Sequence, residues 1–290
     1  MGFGNGRLRY FAILPLVGAL LLSSCGHTVN TSVTPPPPTV AGWTLFWSDE
    51  FNAADGSAPD PNKWSFETGG NGFGNQELEY YTSRPQNAQI LNGNLVITAL
   101  EENYTGPDGV SRNYTSARLN TSSKFQQAYG RFEASIKIPY GQGMWPAFWM
   151  LGNDISTNGW PTNGEVDIME NIGREPSMVH GTIHGPGYSG AHGIGSPFSF
   201  PDGRRFADAY HLYAVEWSPN EIKFYVDDNL YATRTPADLP AGTKWVYDHP
   251  FFIILNLAVG GSWPGAPDAT TVFPQQMLVD YVRVYQRSGS

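Results

Sequence analysis

Gly164-Glu165-Val166-Asp167-Ile168-Met169-Glu170-Asn171-Ile172-Gly173 is a short run between glycines in which Val, Ile and Met interleave with three acids. Branched apolar residues at a spacing near two read as a β-strand, not a helix. In a regular strand Glu165 and Asp167 share a face, and Glu170, five positions after Glu165, points the other way. One extra residue, a β-bulge at Ile168 or Met169, returns Glu170 to the face of the other two. Three acids on one face repel and raise one another's pKa, which makes the arrangement costly for structure alone. A solvated polar strand face is one alternative on this pattern. A cation site is another, although the run lacks the glycine-bent loop that usually wraps calcium.

Strand signals continue on both sides. Leu95–Leu100 follows the turn Asn92-Gly93-Asn94, and Tyr129–Ile138 alternates apolar and polar residues. Glu221–Val226, the turn Asp227-Asp228-Asn229 and Leu230–Arg234 read as a hairpin. Phe251–Val259 is almost continuously apolar, as expected of a strand buried on both faces, and Met277–Gln286 alternates again. No segment has a long 3.6-residue period. The composition agrees: 33 Gly, 23 Pro and 14% aromatic residues argue against a helical bundle and for a β-sandwich or barrel. With 290 residues, 40% of them hydrophobic, the chain can bury a sizeable core. The net charge of −9 argues against a nucleic-acid partner. A single cysteine excludes a disulfide framework and a Cys-cluster metal site.

That cysteine lies in the leader. Arg7 and Arg9 precede the apolar stretch Tyr10–Leu22, and Leu22-Ser23-Ser24-Cys25 closes it. The stretch is short for a membrane span and suits a signal peptide. Its end resembles the bacterial lipobox, whose Cys becomes the lipidated first residue of the mature chain. Residues 1–25 are read as this leader, and residues 26–41, Ser/Thr-rich with Pro35–Pro38, as an extended tether. The expected location is an exported lipoprotein, held to the outer membrane or cell surface only through Cys25, or a secreted protein if the lipobox is not used. Residues 42–287 have no further linker and read as one domain.

A carboxylate set of this kind suits a retaining glycosidase. One acid stays ionised as nucleophile, while another holds a proton and serves first as acid and then as base. Their carboxyl groups lie about 5–5.5 Å apart. Glu165 and Glu170 are about four strand steps apart across a bulge, roughly 13 Å between Cα atoms. Side chains leaning toward each other can close that gap, with Asp167 between them to help separate their pKa values. Trp145 and Trp149, four apart, share a strand face, and Trp263 sits in the loop Gly260–Gly265. Core packing is the ordinary use of Trp, yet a flat ring on a cleft wall also stacks on a sugar face. His180 and His184 share a strand face as well. Without an HExxH helix they do not suggest zinc, and His184 is read as a cleft hydrogen-bond donor or a structural His.

With these residues in view, Glu165-Val-Asp167-Ile-Met-Glu170 resembles the ExDxxE signature of glycoside hydrolase family 16, in the form with the extra Met seen in laminarinase-like endo-β-1,3-glucanases. Flanking segments agree in order: Trp47-Ser-Asp-Glu50-Phe, Asn75-Gln-Glu-Leu-Glu-Tyr-Tyr81, Ala117-Arg118-Leu119, Gly130-Arg131-Phe132-Glu133, Trp145–Leu151, Glu216-Trp217, Asn256–Gly261 and Asp280–Tyr285. The resemblance covers about Gly42 to Arg287. It implies a concanavalin-like β-jelly roll of two antiparallel sheets with a concave substrate cleft. Glu165 would be the nucleophile, Glu170 the acid/base and Asp167 the helper. Trp145, Trp149, His184 and Trp263 would line sugar subsites, with Arg118 and Asn75 as polar contacts. Catalysis would need no cofactor. A structural Ca²⁺ on the convex side would be held at Glu50, Gly93 and Asp280. The implied partner is a β-glucan polysaccharide, laminarin-like or mixed-linkage, and a monomer is expected. A transglycosylase, a hydrolase of another polysaccharide, and a non-catalytic β-glucan-binding protein are the alternatives. Gly185–Asp208 reads as a long, weakly patterned cleft-edge loop that would set substrate choice.

Overall fold

The computed structural model describes residues 1–2 and 40–289, so most of the leader, with Cys25, and most of the tether lie outside the described residues. The chain divides into two units, Met1–Pro38 and Thr39–Ser290. Among the described residues of the second, seventeen strands follow one another: β1 Trp43–Asp49, β2 Ser65–Glu67, β3 Glu79–Tyr81, β4 Ala88–Leu91, β5 Asn94–Thr105, β6 Ser111–Ser116, β7 Arg118–Asn120, β8 Gly130–Lys137, β9 Met144–Gly152, β10 Glu165–Glu170, β11 Val179–His184, β12 Ile194–Phe198, β13 His211–Ser218, β14 Glu221–Val226, β15 Asn229–Arg234, β16 Phe251–Val259 and β17 Gln275–Arg287. The α-helix among them, Ile155–Asn158, has a single turn.

The strands form the expected all-β sandwich. One sheet runs β15-β14-β13-β8-β17-β5-β6-β3, with β1 added on β17 and β4 on β5; the other runs β12-β11-β10-β9-β16-β7-β2. Every pairing is antiparallel except β3 with β6. The core between the sheets follows from alternation. Phe132, Ala134 and Ile136 of β8 and Val282 and Val284 of β17 face inward from one sheet, and Phe148 and Met150 of β9 and Ile253, Leu255 and Leu257 of β16 from the other. β16 is apolar on both faces because its outer face is also covered: Phe252 and Ile254 pack with Leu151 in a second small cluster against Trp149 and Ile155.

Two expectations need correcting. The β14–β15 turn has two residues, Asp227 and Asp228, because Asn229 already pairs with Val226. Gly185–Asp208 is not a free loop. Ile194–Phe198 within it adds an edge strand to β11, and Phe200 and Phe206 are buried in the core. The sequence hid this strand because it contains Gly195, Ser196 and Pro197; an edge strand tolerates a proline that a central strand would not.

Of the residues implied for calcium, Asp280 lies in β17, Glu50 directly follows β1 and Gly93 lies between β4 and β5. Asp280 is the extra residue where the pairing of β17 with β8 shifts between Val279 and Tyr281, and it is exposed. Gly93 occupies the β4–β5 turn with φ +71°. The Glu50 carboxylate takes hydrogen bonds of 3.0 and 2.7 Å from Nε and Nη2 of Arg283. A calcium held by the Glu50 side chain would share its carboxylate oxygens with this guanidinium.

Candidate active site

β10 lies between β9 and β11, and its register carries the bulge. Against β9, Asp167 pairs with Trp149 and Met169 with Phe148, which leaves Ile168 as the inserted residue. Val166, Ile168 and Met169 all enter the core. Glu165, Asp167 and Glu170 are thereby left on the opposite face, as the sequence spacing requires.

Each acid has a specific neighbour. Trp160 Nε1 donates to Glu165 Oε2 at 2.9 Å, and Trp145 Nε1 donates to Glu170 Oε1 at 3.0 Å. His184, opposite Glu165 on β11, places Nε2 3.0 Å from Asp167 Oδ2 and 3.7 Å from Glu165 Oε1. Glu165, Asp167 and His184 offer ligand atoms within 4.8 Å of one another, close enough to hold a metal ion. The same closeness serves acid chemistry without one, since an imidazole between two carboxylates offsets their repulsion. Trp160 was not anticipated. It is 48% exposed and lies in the loop before β10, so no strand periodicity pointed its indole at Glu165.

Burial pushes all three carboxyls up to about 8. For Glu165 and Glu170 the charge of Asp167 adds to burial, while His184 and the respective indole N–H groups oppose it. For Asp167 burial dominates, and a hydrogen bond with Glu165 opposes it. Protons are therefore retained near neutrality by a cluster whose ordinary members would be ionised. The linkage to stability has a definite sign. A carboxyl raised from near 4 to about 8 in the folded chain makes folding favourable through proton uptake. That stability is complete below about pH 4 and is lost as pH rises toward 8. Asp167→Asn is accordingly expected to melt several degrees higher than the parent at pH 8. Thermal unfolding as a function of pH should find the gap closing toward pH 4; a gap independent of pH would refute the assignment.

The expected aromatic residues assemble around the acids. Trp263 stands edge-on to Trp145 at 5.6 Å and to His180 at 5.1 Å. Its loop is tied down by Arg174 Nη1, which donates to the carbonyls of Trp263 and Pro264 at 3.2 and 2.7 Å. Gly261 is needed here: its φ is +128°, and a Cβ would lie 3.2 Å from the Trp145 ring. Trp149 Nε1 donates to Asn256 Oδ1 at 2.8 Å. Arg118 stacks over Trp149 at 4.7 Å and over Phe73 at 5.0 Å, and its Nε is 2.7 Å from Glu67 Oε2. Arg118 thus steadies the Trp149 ring. Asn75 sits by the Trp263 loop, with its carbonyl accepting from Ser262 N at 2.7 Å.

Comparison with known proteins finds similarity along most of the chain. Residues 75–283 match the glycosyl hydrolases of family 16. The chain is 47% identical over 259 residues to a beta-glucanase of Rhodothermus marinus, covering 84% of this chain and 85% of that one. Its fold is similar to the laminarinase catalytic domain of Thermotoga maritima, with a TM-score of 0.80, 49% identity and coverage of 84% and 98%. It is equally similar to the endo-beta-1,3-glucanase of Pyrococcus furiosus, with a TM-score of 0.80, 49% identity and coverage of 84% and 94%.

Proposed function

The chain belongs to the glycosyl hydrolases of family 16, and on that footing we propose that it is a retaining endo-β-1,3-glucanase acting on laminarin-like β-glucans. The observation that carries this reading is the placement of Glu165, Asp167 and Glu170 on one face of β10 across the Ile168 bulge. Each terminal acid is oriented by its own indole N–H.

The chemistry follows from that placement. A glucan chain lies across the face lined by Trp145, Trp149 and Trp263. Glu170, held protonated by burial and by the charge of Asp167, gives its proton to the glycosidic oxygen. Glu165 attacks the anomeric carbon from the opposite side of the ring and forms a glycosyl ester. Burial and the charge of Asp167 raise Glu165 to about 8, Trp160 N–H and His184 oppose that rise, and the ionised fraction of Glu165 is the form that attacks. Glu170, now a base, takes a proton from water, and that water displaces Glu165. Two inversions return the sugar to its starting β configuration. Asp167, with His184 against it, keeps the pair from ionising together.

The test is hydrolysis of laminarin by the full chain, followed by proton NMR from the first minutes. Short oligosaccharides appearing first as the β-anomer are the expected result. Appearance of the α-anomer would overturn retention. Transferred chains in place of hydrolysis products would make the protein a transglycosylase, cleavage of galactans alone would move the substrate class, and binding without cleavage would leave a glucan-binding protein.

A further inference from the structure

Glu77 has no part in the chemistry above, yet it is only 3% exposed. Its two carboxyl oxygens serve different partners. Oε2 accepts from Tyr81 Oη at 2.7 Å. Tyr81 Oη in turn accepts from Asn256 Nδ2 at 3.1 Å, and Asn256 Oδ1 accepts from Trp149 Nε1 at 2.8 Å. Oε1 accepts from Asn75 Nδ2 at 3.3 Å, and the Asn75 carbonyl holds Ser262 N, next to Trp263. Fully buried Glu79 braces the arrangement: its Oε2 accepts from Val259 N at 2.6 Å, where β16 enters the Trp263 loop. Burial, and after it the nearby Glu77, push the Glu79 carboxyl well above its ordinary value.

We propose that Glu77 is a positioning residue for polysaccharide binding: one buried carboxylate whose two oxygens fix two sugar platforms, Trp149 through Tyr81 and Asn256, and the Trp263 loop through Asn75. The proposal rests on the glucanase reading. Its chemical core is that both oxygens must accept. Glutamine has the same shape but only one accepting oxygen, so it can serve one arm and presents a donor to the other. Aspartate keeps two acceptors on a shorter stem. A buried donor left without its acceptor loses its fixed geometry, and displaced platforms weaken the grip on a long substrate before they alter the acids themselves.

The experiment compares the parent full chain with Glu77→Gln, Glu77→Asp and Tyr81→Phe, by laminarin kinetics and by the indole N–H resonances of the folded proteins. Glu77→Gln is expected to raise KM about tenfold with kcat changed less than about threefold. The Trp149 indole resonance should shift, and those of Trp160 and the core residue Trp217 should not. Tyr81→Phe cuts one arm, so it should shift Trp149, leave Trp263 in place and raise KM less. Glu77→Asp should recover part of the lost KM. Unchanged KM and an unmoved Trp149 resonance in Glu77→Gln would overturn the proposal, as would an equal shift of all indoles. Should Glu77→Gln fail to fold, an unmoved Trp149 resonance in Tyr81→Phe is enough to overturn it. A parent chain that leaves laminarin intact would instead defeat the glucanase reading, with the indole shifts still deciding whether the two arms exist.

Discussion

Glu165→Gln is expected to lower kcat/KM on laminarin by about 10⁴-fold or more, the scale of loss when a covalent nucleophile is removed. The fold should survive, because the amide keeps the side-chain volume and its carbonyl still accepts the Trp160 N–H now found 2.9 Å from Oε2. Stability at neutral pH should rise, since a buried acid raised to about 8 is removed. The stereochemistry gives a sharper test. In Glu165→Ala, added azide can occupy the space of the missing carboxylate and attack the anomeric carbon directly. That reaction contains one inversion, so its product is the α-glycosyl azide. Formation of the β-azide, or hydrolysis at near-parental rate in either variant, would remove Glu165 from the nucleophile's role.

The bulge was legible because the sequence contains a conflict. A period of two puts Glu165 and Asp167 together but turns Glu170 away, and an inserted residue is the cheapest repair. The structure resolves it at Ile168, since both Ile168 and Met169 gain by entering the core. Trp263 was legible for a related reason: a large ring in a run of glycines has no strand to bury it. Trp160, between Gly159 and Pro161, carries a weaker form of the same signal, because it precedes the acid run instead of standing in a glycine-rich loop. Asn256 is visible as the one polar side chain in Phe251–Val259, but that it supports Trp149 could not be read, because the contact joins β9 to β16 across more than a hundred residues. The roles of Glu77 and Glu79 were hidden in the same way. Glu77 reaches β16 only through Tyr81, which accepts from Asn256, and Glu79 accepts from Val259 at the end of the same strand. Local period places faces; it does not say which buried polar atoms meet.

Glu170→Gln separates the two halves of the reaction. On laminarin the leaving group is a sugar hydroxyl, which departs poorly without a proton, so loss of the general acid should lower kcat by about 10²–10⁴-fold. On an aryl β-glucoside oligomer with a weakly basic phenol as leaving group, the first step no longer needs that proton. Glu165 should then be glycosylated at near-parental rate, and water should release the sugar slowly because no base activates it. The expected trace is a burst of phenol equal to the enzyme concentration, followed by a slow steady state. Azide, which needs no base, should speed turnover. It attacks the glycosyl ester from the face Glu170 has vacated, so the product is the β-glycosyl azide, opposite to that of Glu165→Ala. The parent enzyme should be most active near pH 8, falling on the acid side as Glu165 takes up its proton and on the alkaline side as Glu170 gives up the proton that burial and Asp167 have kept on it. In Glu170→Gln acting on the aryl substrate that alkaline limb should disappear from the burst rate. A burst whose rate still falls through pH 8, or azide that yields the α-product, would show that the acid lies elsewhere. His184 would then be the first side chain to examine, because it already touches Asp167 and faces Glu165 across β11.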